Sequence, residues 1–158
     1  MAEGQEGLPE KEDEVDEMHL FRGDAAGTPR ITPAYGRYGK AFYLTTNPKL
    51  AQEYAHVKKG QVFEYTTSAH FLNLDHRLQP DELKKIREIV PLEKKAEFEK
   101  ILGGRIIARQ VYDALIFADV QFEDLTAILQ NAGFDGIYDP RDGVVGVYKP
   151  ELLKPIKT

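Results

Sequence analysis

From residue 18 onward strand-forming runs flank a middle rich in helix-forming runs, and that order limits the fold more than any other feature of the sequence. His19-Leu20-Phe21 reads as a short strand ended by Arg22-Gly23-Asp24, and residues 25–40, rich in Gly, Pro and Thr, read as a loop. Residues 41–45 are aromatic and apolar and predict a strand. A helix start follows. Asn47 can cap the free amides, and Pro48 at the first helical position has no N–H to leave unpaired. Leu50, Ala51, Tyr54 and Ala55 share one face of that helix, and Gly60 ends it. Residues 61–65 and 71–74 predict two more strands.

Helical periodicity then takes over. Residues 81–90 place Leu83, Ile86 and Val90 inward, and Pro91 breaks the helix. Residues 92–102 form another, closed by Gly103-Gly104, and 110–118 and 123–131 two more, the last ended by Gly133. A strand over 134–138, a turn at 139–143 (DPRDG) and a hairpin partner strand over 144–148 follow. Strands, a run of helices and strands again predict an α+β fold, not the strict alternation of a doubly wound sheet.

The 158 residues suit one domain of ordinary size. Charge divides the chain unevenly. The whole carries −5, residues 1–17 carry −7, and 18–158 is left at +2. With few apolar side chains to offset its ordering entropy, 1–17 reads as a disordered acidic leader ahead of a domain over 18–158. The first residues are acidic rather than basic and then apolar, so no secretory signal is expected, and no apolar run nears the roughly 18 residues of a membrane span. The expected location is the cytoplasm of a host or producing cell. No basic face points to nucleic acid.

Several chemistries lack their residues. There is no cysteine, hence no disulfide, thiolate zinc site or cysteine nucleophile. His19, His56, His70 and His76 show no metal-ligand spacing, so no metal is expected. Ser68, the only serine, has no nucleophile elbow around it. Neither a G-x-G-x-x-G nor a P-loop motif occurs.

What remains distinctive is GKAFYLTTNPKLAQEY, residues 39–54. A glycine-bearing loop feeds a strand with Tyr43, and a capped helix presents Tyr54 eleven residues later. Two aromatic faces so held can clamp a flat heteroaromatic ring, and a pyridinium gains further from the ring quadrupoles. The plain alternative is two core tyrosines. The block resembles the G-[KR]-G-I-Y-F-[AST]-[DN]-x-x-x-x-[SA]-x-x-Y segment of the ADP-ribosyltransferase superfamily, in its His-Tyr-Glu branch. The likeness is to divergent, small phage and mobile-element members, an anti-CRISPR ADP-ribosyltransferase among them. The resemblance implies a split β core with flanking helices and places the nicotinamide of NAD between Tyr43 and Tyr54, with Thr45 in the same block.

The flanks extend the resemblance. Phe21-Arg22-Gly23 is similar to the family's first-strand motif, in which the glycine end of the backbone bonds the nicotinamide amide and the preceding side chain, here Arg22, reaches ribose or phosphates. The alternative for Arg22 is a surface residue beside Asp24. The segment from Gly133 to Ile156 is similar to the family's C-terminal block. One departure matters. The family's catalytic glutamate falls here on Val144, which cannot stabilise an oxocarbenium-like cation, a loss of several kcal/mol of transition-state stabilisation. Asp142 and Asp139, in the adjoining turn, are the candidate replacements, with turn chemistry as their alternative role. The implied function is mono-ADP-ribosyl transfer from NAD to a macromolecule, a protein in first place, in a phage or bacterial-effector setting. The alternatives are an inactive binding module on the same fold that occludes a protein partner and, more weakly, a tRNA 2′-phosphotransferase-like role.

Overall fold

The computed structural model describes residues 17–25, 27 and 31–156. The expected leader over 1–17 therefore lies outside the described residues, apart from an exposed Glu17.

Among the described residues, eight strands and five α-helices run β1 (Met18–Asp24), β2 (Ala34–Gly36), β3 (Gly39–Thr45), α1 (Pro48–Val57), β4 (Gln61–Thr67), β5 (Phe71–Asn73), α2 (Pro80–Ile89), α3 (Leu92–Leu102), α4 (Ala108–Phe117), α5 (Phe122–Asn131), β6 (Gly136–Asp139), β7 (Val144–Val147) and β8 (Lys154–Pro155). A turn of 3₁₀ helix, Pro150–Leu152, precedes β8. The fold is α+β. The sheet order is β5-β6-β7-β3-β1-β4-β8, with β2 paired to β3, and the β5–β6 pair is parallel in an otherwise antiparallel sheet.

The caps expected from sequence form. Asn47 accepts a hydrogen bond from Lys49 N at 3.0 Å, and Gly103 ends α3 at φ 59°. Strand β8 has no counterpart in the sequence reading, and three further features differ. The strand expected to end at Arg22-Gly23-Asp24 runs through them, because β4 pairs with β1 as far as Asp24 opposite Gln61. Part of the expected loop over 25–40 is β2, recruited by pairing with β3 around a two-residue turn at Arg37-Tyr38. Tyr54, grouped on one helix face with Leu50, Ala51 and Ala55, is 57% exposed, while Ala51 and Ala55 are buried.

Strand alternation divides the interior. Leu20, Phe42, Leu44, Tyr65, Val145 and Val147 build one core on one face of the sheet. On the other face Tyr43, Val144 and Tyr148 pack against a larger core made chiefly by α2 to α5. Helix α1 lies on β1 and β4, and Gly23 makes this possible: a Cβ there would stand 2.1 Å from Ala51 O.

The sheet is weakly joined at one place. β1 pairs with β4 through seven residues, but with β3 through the single register pair Phe21 opposite Thr45. Beyond that pair the two strands diverge, and the candidate site lies at the fork.

Candidate functional site

A cleft of about 290 Å³ opens there, lined by Arg22, Gly23, Tyr43, Thr45 and Tyr54, together with Arg37, Lys58 and Val144. Arg22, Gly23, Tyr43, Thr45 and Tyr54, read from separate segments, thus share one cavity. Its volume is at the small end for ligand sites. Three of its lining residues are cationic and none is acidic.

Arg22 spans the fork. Its Nη1 donates to Tyr43 O at 2.7 Å and its Nε to Asp24 Oδ2 at 3.1 Å, while the guanidinium carbon lies 4.4 Å from the centre of the Phe42 ring. A side chain thus supplies a hydrogen bond to a strand carbonyl where the ladder has opened. Asp24 also meets Lys58 Nζ at 3.6 Å. Burial pushes the Asp24 carboxyl up, but hydrogen bonds from Ala25 N–H and Arg22 outweigh it and hold it below its ordinary value.

Tyr43 is set rigidly. Its hydroxyl donates to Gly39 O at 2.6 Å and accepts from Tyr38 N at 2.8 Å, closing the β2–β3 turn. The ring passes between two glycines, since a Cβ on Gly36 would stand 2.6 Å from Tyr43 Cε2 and one on Gly146 3.1 Å from Cε1. Burial raises its pKa. Tyr54, on the exposed flank of α1, is free of such packing. Thr45 Oγ1 accepts from Asn47 N at 3.0 Å, so it shapes the entry to α1 while lining the cleft.

The two candidate carboxylates occupy different situations, and neither lines the cleft. Asp139, at the end of β6, has a side chain only 6% exposed. Arg109 grips it with two hydrogen bonds, Tyr38 Oη donates to Oδ2 at 2.8 Å, and Arg141 N donates to Oδ1 at 3.0 Å. The Arg109 hydrogen bonds above all hold its carboxyl well below the ordinary carboxylate range. Tyr38, one of the three residues that bond Asp139, is pushed up to about 12 by burial. Asp139 is thereby committed to the framework, anchoring the β6–β7 hairpin to α4. Asp142 lies in the exposed turn, where Oδ1 accepts from Val144 N at 3.2 Å and Oδ2 from Arg37 Nη1.

Val144 lines the cleft, paired with Thr45 on one side and Asp139 on the other. Arg37 and Lys58 were not singled out by the sequence. Lys58 had a readable signal, since it follows Leu50, Ala51 and Tyr54 at helical spacing. Arg37 had only its place just before the Gly39 block. No group of three or more potential metal ligands occurs among the described residues, and no helix there is long and apolar enough to cross a membrane.

No protein-family model and no curated protein matches the chain. Its structure is similar to the crystal structure of an anti-CRISPR protein, with a TM-score of 0.40 and 11% identity over 89% of this chain and 96% of that one.

Proposed function

We propose that the cleft binds NAD and that the chain is a mono-ADP-ribosyltransferase acting on a protein, as a phage or bacterial effector. The observation that carries this reading is the convergence of Arg22, Gly23, Tyr43, Thr45 and Tyr54 on one cation-lined cleft at the fork of the sheet. A flat ring and a pyrophosphate ask for this pairing of aromatic faces with guanidinium and ammonium groups. The fork itself agrees with a split β core.

In this reading Tyr43 and Tyr54 flank the nicotinamide, and Arg22 faces the ribose and phosphates. The C1′–N glycosidic bond breaks, its electron pair leaves with nicotinamide, and a nucleophile on the target protein captures the ribosyl cation, any proton it carried passing to solvent. A carboxylate near C1′ stabilises that cation. With Asp139 held by Arg109 and Tyr38, Asp142 is the turn carboxylate left to do so.

A second reading, a catalytically inactive module that binds and occludes a partner, is favoured by Val144 lining the cleft where a carboxylate is needed. Calorimetric titration with NAD, alongside chromatographic assay of released nicotinamide, separates the two. The transferase reading expects binding with slow release, and Asp142→Ala should abolish release while binding persists. Binding without release in the wild type, with release gained on Val144→Glu, establishes the inactive module. Absence of NAD binding overturns the transferase reading and leaves only a module that meets its partner without the nucleotide.

A further inference from the structure

Each cation of the cleft is matched by an acid standing outside its lining: Arg22 and Lys58 by Asp24, and Arg37 by Asp142. The Arg37 pairing is the most exposed of the three. Arg37 is 54% exposed and Asp142 41%, and the bond joins two turns, the β2–β3 turn and the β6–β7 turn. Arg37 has a second weak contact to Tyr38 Oη at 3.4 Å and lies 3.7 Å from Asp139, whose own oxygens are already taken by Arg109, Tyr38 and Arg141. An exposed pair of this kind contributes at most about 1 kcal/mol and exchanges readily, whereas a guanidinium binds a phosphate through a two-pronged, charge-assisted contact.

We propose that Arg37 is an anion-binding residue of the cleft and Asp142 its built-in competitor, so that a pyrophosphate-bearing nucleotide takes Arg37 away and leaves the Asp142 carboxylate free beside Val144. The proposal rests on the reading of the cleft as a dinucleotide site. It makes the turn carboxylate available only when the ligand phosphates are in place. Arg37 then acts on the chemistry by positioning Asp142.

The test is a double-mutant cycle read as binding, with no turnover required. Wild type, Arg37→Gln, Asp142→Asn and the double variant are titrated calorimetrically with ADP and with inorganic pyrophosphate, after thermal melts show all four folded. Asp142→Asn should tighten ADP binding about three- to fivefold, by removing a competitor of the strength of an exposed ion pair. Arg37→Gln should weaken binding about tenfold, and Arg37→Lys should restore part of it. In the Arg37→Gln background the gain from Asp142→Asn should fall below about twofold. Binding of pyrophosphate with the same pattern assigns the exchange to the phosphates alone; the pattern with ADP only assigns it to a phosphate held in place by its nucleoside. If Asp142→Asn tightens binding equally with and without Arg37, the effect is a general field and the exchange is refuted. The same holds if it tightens nothing while the wild type binds. If the wild type binds neither ligand, the dinucleotide reading falls as well.

Discussion

Asp139 and Arg109 meet through two parallel hydrogen bonds, Nη1 to Oδ2 at 3.2 Å and Nη2 to Oδ1 at 2.8 Å, and so tie the end of β6 to the first turn of α4. Arg109 also holds Asp75 at 2.8 Å, which draws the loop after β5 into the same knot. Arg109→Leu strands a buried carboxylate and should cost about 3 kcal/mol in urea denaturation. Adding Asp139→Asn to that variant should recover part of the loss, because no unpaired charge then remains. Loss of less than 1 kcal/mol in the single variant would show the pair to be ornamental.

The same pair sets an acid limit. Asp139 has a depressed pKa in the folded chain, so the unfolded chain binds its proton more readily. Its stabilisation is therefore fully present above the unfolded carboxylate value of about 3.9 and declines as pH falls below that towards the lower folded value. Melting temperatures from pH 6 down to pH 2.5 should drop more steeply in the wild type than in Asp139→Asn, to the degree set by this one group.

The two tyrosines should part company under mutation. Tyr54 is exposed, so Tyr54→Ala should change stability by less than about 0.5 kcal/mol yet weaken NAD binding five- to tenfold, about 1 kcal/mol. Tyr43 closes the β2–β3 turn, so Tyr43→Ala should lower both, with about 3 kcal/mol of stability lost. Tyr43→Phe, which removes only the hydroxyl between Gly39 O and Tyr38 N, should cost about 1 kcal/mol and leave the stacking face. Normal NAD binding by a folded Tyr54→Ala would remove Tyr54 from the site.

Glycine spacing offers a finer probe of the cleft. Gly36→Ala places a methyl group 2.6 Å from the Tyr43 ring, which must move. NAD affinity should fall while the melting temperature drops by only a few degrees, an overpacking cost of about 1–2 kcal/mol. Gly23→Ala meets the α1 backbone rather than a side chain and should destabilise the fold far more, with little soluble protein recovered.

Local signals carried the helices and the central strands. Asn47-Pro48 and Gly103-Gly104 are complete caps in themselves, and the alternation around Tyr43 needs no partner to be read. β2 and β8 were invisible because Ala34-Tyr35-Gly36 and Lys154-Pro155 are strands only by virtue of β3 and β4 beside them. The extension of β1 through Gly23 has the same cause. At the site, a fixed spacing within one block was legible, and so was the first-strand Arg-Gly pair. The grip of Arg109 on Asp139 spans thirty residues with no local mark, and it gives Asp139 a structural role that the turn sequence alone does not show. Arg37 gains its meaning from Asp142, which is 105 residues away.

At the fork between β1 and β3, one guanidinium does what backbone amides do along the rest of the sheet. Tyr43 O therefore answers to a side chain, and that side chain faces the cleft. Under the proposed reading, an anion drawing on Arg22 would compete with that strand carbonyl, tying occupancy of the cleft to the seam between β1 and β3. A neutral residue at position 22 would remove a cation from the cleft and, in the same stroke, the side-chain hydrogen bond that holds the seam.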